Sequence, residues 1–118
     1  MTEIQEEVAA TENFFLKLWE ALTLSEIETP EEVNRLLSVY VRAFHRVAEM
    51  EIETGAVWFK KSQEIKAVTE NKSQFDFEKK TCEEYYLYSL VSKNADKLSD
   101  FKTSLQSKLR NANNELNS

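Results

Sequence analysis

The chain has 118 residues, of which 42% are hydrophobic and 31% are charged, and its formal net charge is -6 at pH 7. This length suits one folded domain, the hydrophobic fraction excludes a disordered chain, and the acidity argues against a dedicated binder of duplex DNA. With only one Gly and one Pro, the chain lacks the turn residues that β-rich and α/β folds need. We therefore predict an all-α protein with long helices.

The N-terminal segment, residues 1–24, is predicted to form the first helix, from near Thr2 to Thr23. Its apolar residues recur at spacings of three, four and seven, which is the pattern of one helix face. They are Val8, Phe15, Leu18, Trp19 and Leu22. The segment is also acidic, because residues 1–34 hold nine acidic groups and one lysine. This charge favours contact with a protein over contact with nucleic acid.

A second helix is predicted over residues 30–68. Thr29 is expected to be its N-cap, Pro30 its first residue, and Glu32 the residue that completes a capping box. The apolar pattern then continues to the end of this range at spacings of three and four. Its main members are Val33, Leu37, Val41, Phe44, Ala48, Ile52, Gly55 and Phe59, flanked by Leu36, Tyr40, Val47 and Trp58. Gly55 is explained either by the close approach of another helix or by a kink.

The last helix is predicted over residues 74–112. The polar stretch from Thr69 to Gln74 is the expected turn before it, and Ser73 with Asp76 forms a capping pair. Apolar residues then recur close to a heptad spacing. They are Leu87, Val91, Ala95, Leu98, Leu105, Leu109 and Ala112. Residues 113–118 are rich in asparagine and are expected to fray.

These elements predict a single helical domain over residues 1–118. Two long helices joined by a short turn form an elongated antiparallel hairpin, and the N-terminal helix packs along it as in a three-helix bundle or a coiled coil. Such a thin hairpin buries little of its apolar surface alone, so we expect a homo-oligomer. Gly55 and Leu98 are the candidate contacts between subunits, although each also suits a contact within one chain.

The residues that most catalytic and metal sites need are scarce. His45 is the only histidine, which excludes histidine triads and multi-histidine metal sites within one chain. A single glycine excludes the glycine-rich loops that hold phosphates. We therefore predict that the protein is not an enzyme and has no catalytic residue, no metal and no cofactor.

Cys82 is the only cysteine. It cannot form an internal disulfide, so a reducing compartment, the cytoplasm, is the expected location. Its side chain is either a small buried hydrophobic group or a reactive thiol. The acidic N-terminus is unlike a signal peptide, and no stretch reaches the roughly 20 apolar residues of a membrane span. We expect neither a signal peptide nor a membrane segment.

Lysines and aromatic residues alternate around the predicted turn, within residues 58–85, which we call the tip. The candidate contacts to nucleic acid or to another partner are Trp58, Lys60, Lys61, Lys66, Lys72, Lys79 and Lys80, with Phe75, Phe77 and Tyr85 nearby. Such a mixture binds single-stranded nucleic acid, because lysines follow the phosphates while rings stack on bases. The alternative is a solvated tip over an aromatic core, since four acidic residues between Lys60 and Lys80 dilute the charge.

Two segments of the chain carry a pattern seen in one class of phage protein. The segment from Tyr40 to Lys61 contains Gly55-Ala56 and Trp58-Phe59-Lys60-Lys61, and the segment from Glu83 to Arg110 contains Ala95-Asp96-Lys97-Leu98. They resemble the two long helices of small phage recombination accessory proteins, the UvsY-type recombination mediators. The resemblance covers about residues 33–112. It implies a homo-oligomer in the host cytoplasm that binds single-stranded DNA and helps to load a recombinase onto strands coated by a single-strand-binding protein.

Two functional hypotheses follow. In the first, the chain is an oligomeric recombination mediator that contacts single-stranded DNA through the lysine-rich tip. In the second, it is a protein-binding adaptor or inhibitor, phage-encoded or otherwise, that uses the acidic N-terminal helix and has no nucleic-acid role. The first predicts DNA binding that salt weakens, and the second predicts no DNA binding even at low salt.

Overall fold

The computed structural model describes residues 2–23 and 29–117, with side chains in the last helix described as far as residue 111. All regular structure in these ranges is helical, which confirms the predicted all-α class. The helices are α1 (Glu3–Ala21), α2 (Pro30–Val68), α3 (Lys72–Thr81) and α4 (Glu83–Asn117). The molecule is elongated, with extents of 67 × 28 × 19 Å. Within the described ranges, no helix combines the length and the apolar character that crossing a membrane requires.

Local capping contacts set where α1 and α2 begin. The Thr2 hydroxyl accepts the Gln5 N–H and the Gln5 side chain accepts the Thr2 N–H, so α1 starts with a capping box. At α2, the Thr29 hydroxyl accepts the Glu32 N–H at 3.3 Å and Pro30 follows as the first helical residue. The predicted start of α2 is thus confirmed, and α2 also ends where predicted. Apart from Thr29, the predicted connector before α2 lies outside the described residues.

The single helix predicted over residues 74–112 is wrong, because the chain forms two helices that meet at Cys82. Cys82 has φ -74° and ψ 157°, an extended conformation that an α-helix does not contain. The Lys79 carbonyl, which would accept the N–H of residue 83 in an uninterrupted helix, instead accepts the Trp58 indole N–H at 2.9 Å. Cys82 Sγ also lies 3.3 Å from this oxygen. A contact from α2 therefore stabilises the break.

The start of α3 and the end of α4 also differ from the predicted bounds. Asn71 Oδ1 accepts the N–H groups of Ser73 and Gln74, so Asn71 rather than Ser73 is the N-cap of α3. At its far end α4 continues to Asn117, through most of the segment predicted to fray. Asparagine costs only a fraction of a kcal/mol inside a helix, and extending an existing helix is easier than starting one.

α2 and α4 run antiparallel and supply most of the core. Tyr40 of α2 stacks on Phe101 of α4 with ring centroids 6.2 Å apart, while Gly55, further along α2, lies against Tyr88, nearer the start of α4. The core residues are Phe15, Leu18, Leu22, Val33, Leu36, Tyr40, Ala43, Val47, Met50, Val91, Leu98, Phe101 and Leu105. Burial of these side chains is the main source of stability.

α1 lies beside α4 and runs in the same direction. The Tyr86 hydroxyl donates to Glu12 Oε1 at 3.0 Å, and one turn or more further along both helices the Trp19 indole N–H donates to Asn94 Oδ1 at 2.8 Å. The hydrogen bond to the Glu12 carboxylate raises the pKa of Tyr86. Because Asn94 is buried, its bond to Trp19 satisfies a polar group that would otherwise destabilise the core.

Candidate partner-binding surfaces

Trp58, the residue predicted to stack on bases at the tip, is packed inside the chain. Its ring stacks on Tyr88, with centroids 5.3 Å apart and planes 20° apart, and the Tyr85 ring lies 4.9 Å away. Lys79 Nζ lies 5.8 Å from the Trp58 ring centroid. Together with the indole bond to the Lys79 carbonyl, these contacts make Trp58 the residue that joins α2 to α3 and α4.

The six candidate lysines divide into two groups. Lys79 and Lys61 are half-buried, and both make contacts within the chain: Lys79 Nζ lies 5.5 Å from the Phe75 ring centroid, and Lys61 Nζ lies 4.0 Å from Glu64. The exposed group consists of Lys60, Lys66, Lys72 and Lys80. The tip therefore presents four of its six candidate lysines to solvent.

Two phenylalanines of the tip are exposed although their rings are large and apolar. Phe59 is 64% exposed and Phe77 is 67% exposed. On α3, the Glu78 carboxylate accepts hydrogen bonds from Gln74 Nε2 and from the Thr69 hydroxyl. The rings that the tip offers to a base are thus those of Phe59 and Phe77, and the sequence analysis assigned Phe59 to the apolar pattern of the second helix instead.

Gly55 and Leu98, predicted as contacts between subunits, both make contacts within the chain. Leu98 is 1% exposed and belongs to the core, so it has no surface to offer another subunit. A Cβ placed on Gly55 would lie 3.3 Å from Tyr88 Cε2. Of the two explanations for this glycine, the close approach of a neighbouring helix is the correct one. Leu98 is corrected to a core residue, and Gly55 is a packing position between α2 and α4.

A larger apolar surface lies along α2. Val41 and Phe44, main members of the predicted apolar pattern, are exposed, whereas the buried residues of α2 include Leu36, Tyr40 and Val47 from the flanking set. We call the exposed set the α2 stripe. It consists of Val41, Phe44, Ala48, Ile52 and Phe59, and its four large members are between 45% and 75% exposed.

The α2 stripe borders a shallow groove between α2 and α4. Phe44 and Ala48 line its α2 side, Ala95 lines its α4 side, and the buried residues Val47 and Leu98 form its floor. At 1.5 Å per residue, the stripe extends for about 27 Å along the helix. The width of the apolar surface on α2 was the available signal, because a helix that packs on one side needs only one apolar face.

Side chains of two types that bind metals or carry catalysis, those of His45 and Cys82, lie apart from one another. No three or more His, Cys, Asp or Glu side chains lie together as metal ligands in the part of the chain that the structure describes. His45 is exposed and its ring meets the edge of Phe44, with centroids 5.9 Å apart. Cys82 is half-buried at the break between α3 and α4.

Comparison with known proteins gives no relative from which a function can be transferred. No protein-family model, no curated protein and no solved structure matches the chain.

Proposed function

We propose that the chain is a non-enzymatic helical binding protein of the cytoplasm that acts as a homo-oligomer, with the α2 stripe as its protein contact surface. The observation that carries this proposal is the exposure of the stripe, since Phe44 is 50% exposed and Ile52 is 75% exposed in the single chain. Complete burial of one such side chain stabilises a contact by about 1.5–3 kcal/mol. Another protein surface is the natural cover for a stripe of this length.

The hairpin of α2 and α4 is the scaffold in this proposal. α1 approaches α2 on a different side, where Phe14 and Leu18 lie near Ala43 and Arg46. The side that carries the α2 stripe therefore stays open for a further helix. Helical bundles bury such a side with a fourth helix, and here the fourth helix comes from another protein chain.

The test is the molar mass of the protein by sedimentation equilibrium across a wide range of concentrations. We expect the wild-type mass to rise above that of the monomer, and Phe44→Glu and Ile52→Glu to remain monomeric because each places a charge in the contact. Leu16→Glu is the matched control, since Leu16 is also exposed, at 60%, but lies on α1. A monomeric wild type at every concentration would reject self-association.

A second candidate function is the binding of single-stranded nucleic acid by the tip, in the manner that the resemblance to recombination mediators implies, with a recombinase as a further partner. The supporting observation is that the tip exposes four lysines and also the Phe59 and Phe77 rings. Lysines follow phosphates and exposed rings stack on bases. The net charge of -6 opposes binding elsewhere on the protein, so contact would be confined to the tip.

Fluorescence anisotropy of an oligo-dT strand at two salt concentrations tests this candidate. Binding at low salt that weakens at high salt, and that is lost in the double variant Lys72→Glu and Lys80→Glu, would support it. Lys17→Glu is the control, because Lys17 is an exposed lysine of α1, away from the tip. No binding at low salt would reject the nucleic-acid role and favour a protein-binding adaptor.

A further inference from the structure

We infer that α3 is a latch that closes on Trp58, and that the chain has a second state in which residues 72–117 form one continuous helix and the Trp58 indole is released. The two states differ at Cys82, the extended residue that separates α3 from α4. The Lys79 carbonyl accepts the Trp58 indole N–H in the closed state. In the continuous helix the same carbonyl accepts the N–H of Glu83, four residues later.

The contacts of the latch can break without disturbing the core. α3 contains no buried residue, and it meets α2 through the indole hydrogen bond to the Lys79 carbonyl and through Lys79 Nζ, 5.8 Å from the Trp58 ring centroid. The neighbouring rings of Tyr85 and Tyr88 belong to α4 and not to α3. Trp58 therefore keeps its ring contacts with α4 when α3 moves away.

The start of α4 lacks the side-chain cap that the other three described helices have. Thr2, Thr29 and Asn71 each accept a backbone N–H of the helix that they begin. Cys82 precedes α4 in the same way, but its Sγ lies 3.3 Å from the Lys79 carbonyl of α3. Within the described ranges, the first three N–H groups of α4 have no hydrogen-bond acceptor. A continuous helix would supply the carbonyls of α3 as their acceptors.

The charges beside the break are compatible with both states. In the closed state, Lys79 and Lys80 lie in the last turn of α3 and two glutamates lie in the first turn of α4, where these charges complement the helix dipoles. In a continuous helix, each lysine has a glutamate, Glu83 or Glu84, four residues after it, and such pairs stabilise a helix. No Gly or Pro interrupts residues 72–117. The contact with Trp58 therefore decides between the two states.

The continuous helix also fits the register of α2 and α4. Gly55 lies against Tyr88, and Trp58 lies against Tyr85, so three residues forward along α2 correspond to three residues back along α4. Continuing this register places Phe75 level with the last residue of α2. About six residues then remain for the turn between the two helices, which is within the usual length of a helix–helix connection.

Opening of the latch changes which groups the tip presents. In the closed state, Trp58 and Lys79 are half-buried and contact each other. In the open state, the indole N–H and the Lys79 side chain are freed from this contact. α3 thus controls whether the two groups are available to a partner, and this control goes beyond both proposed functions without depending on either.

Two substitutions of Cys82 should shift the balance between the states in opposite directions. Cys82→Asp supplies the missing cap of α4 and favours the closed state. Cys82→Ala places the best helix former at the break and favours the continuous helix. Both variants remove the thiol contact to the Lys79 carbonyl, so each is the matched control for the other.

Hydrogen exchange followed by NMR in the full-length protein measures the shift at two N–H groups. In Cys82→Ala, relative to Cys82→Asp, the Trp58 indole N–H should exchange several-fold faster because it loses its acceptor. The backbone N–H of Glu83 should show a several-fold higher protection factor because it gains that acceptor. An N-cap side chain accepts from the second or third helical N–H, so the new aspartate leaves Glu83, the first, unprotected.

Opposite changes at these two N–H groups separate straightening of the helix from simple loosening of α3. If both groups exchange faster in Cys82→Ala, α3 detaches without straightening and the inference is overturned. Equal protection of Glu83 in the two variants would overturn it as well. Circular dichroism should confirm that both variants remain helical.

Trp58→Phe provides an independent check that leaves Cys82 in place. It removes the indole donor, so the Lys79 carbonyl becomes available and the protection factor of the Glu83 N–H should rise several-fold. Unchanged protection of Glu83 in this variant would show that the indole does not hold the latch closed.

Discussion

The two ends of the long helical pair are held together by different kinds of contact. At the end where α2 begins, aliphatic side chains close the core, and Val33, Leu36 and Leu105 are each 1% exposed. At the tip, α3 contains no buried residue, and the contacts are ring stacking and one indole hydrogen bond around Trp58. Aliphatic burial tolerates small shifts, whereas stacking and hydrogen bonds depend on geometry. We expect the tip to open locally before the rest of the molecule unfolds.

The largest expected effect comes from breaking the aliphatic core. Leu98→Ala removes a fully buried side chain and should lower the free energy of unfolding by about 2–5 kcal/mol, because a cavity remains in the core. Chemical denaturation followed by circular dichroism measures the change. A loss below about 1 kcal/mol would mean that the core collapses around the smaller side chain.

A substitution at Gly55 tests how tightly α2 and α4 pack next to the tip. Gly55→Leu must displace Tyr88 and should destabilise the protein by about 2 kcal/mol, which is typical of overpacking. Gly55→Ala is the control: the gain of about 1 kcal/mol in helix propensity offsets the small displacement of Tyr88. Equal stability of the leucine variant and wild type in urea would show that the Tyr88 ring moves aside freely.

Removal of the indole hydrogen bond should affect the tip alone. Trp58→Phe keeps a ring against Tyr88 but leaves the Lys79 carbonyl without the indole donor, so we expect a loss of about 1.5 kcal/mol. Hydrogen exchange measured by mass spectrometry should show faster exchange in α3 and unchanged exchange in the first half of α2. Uniformly faster exchange in both regions would contradict the separation of the two ends.

The smallest expected effect is at the opposite end, where Thr29 caps α2. Thr29→Ala should lower the free energy of unfolding by about 1 kcal/mol through loss of the bond to the Glu32 N–H, whereas Thr29→Ser should retain it. Thermal unfolding of the two variants side by side measures the difference. If the free energy of unfolding falls equally in both variants, loss of the threonine methyl group, and not loss of the cap, explains the change.

Local signals in the sequence predicted some features of the fold and could not predict others. The start of α2 follows from the residues next to it, Thr29 and Pro30, and both the start and the end of α2 are confirmed. The break at Cys82 has no glycine or proline near it, so the sequence carries no local signal for the end of a helix there. The break depends on the Trp58 indole of α2, which lies 21 residues before Lys79 along the chain. Periodicity alone does not report such a contact.

The candidate surfaces also include features that local sequence signals predict and features that depend on distant segments. Four of the six candidate lysines of the tip are exposed, as is usual for charged side chains, and their role as partner contacts stays a prediction. The apolar pattern of α2 contains both a buried face and the exposed α2 stripe, and the residues of both have helical spacing. Which face is buried depends on where α4 and α1 pack against it, and this information lies in other segments of the sequence.

The two tryptophans give each end of the molecule its own optical signal. Trp19 lies near Phe101, where α1 meets α4, and Trp58 lies in the stack at the tip. Indole emission responds to the polarity around the ring, so a Trp19→Phe protein would emit only from the tip and a Trp58→Phe protein only from the other end. The same pair of proteins can therefore follow ligand arrival at one end and unfolding at the other without any added dye.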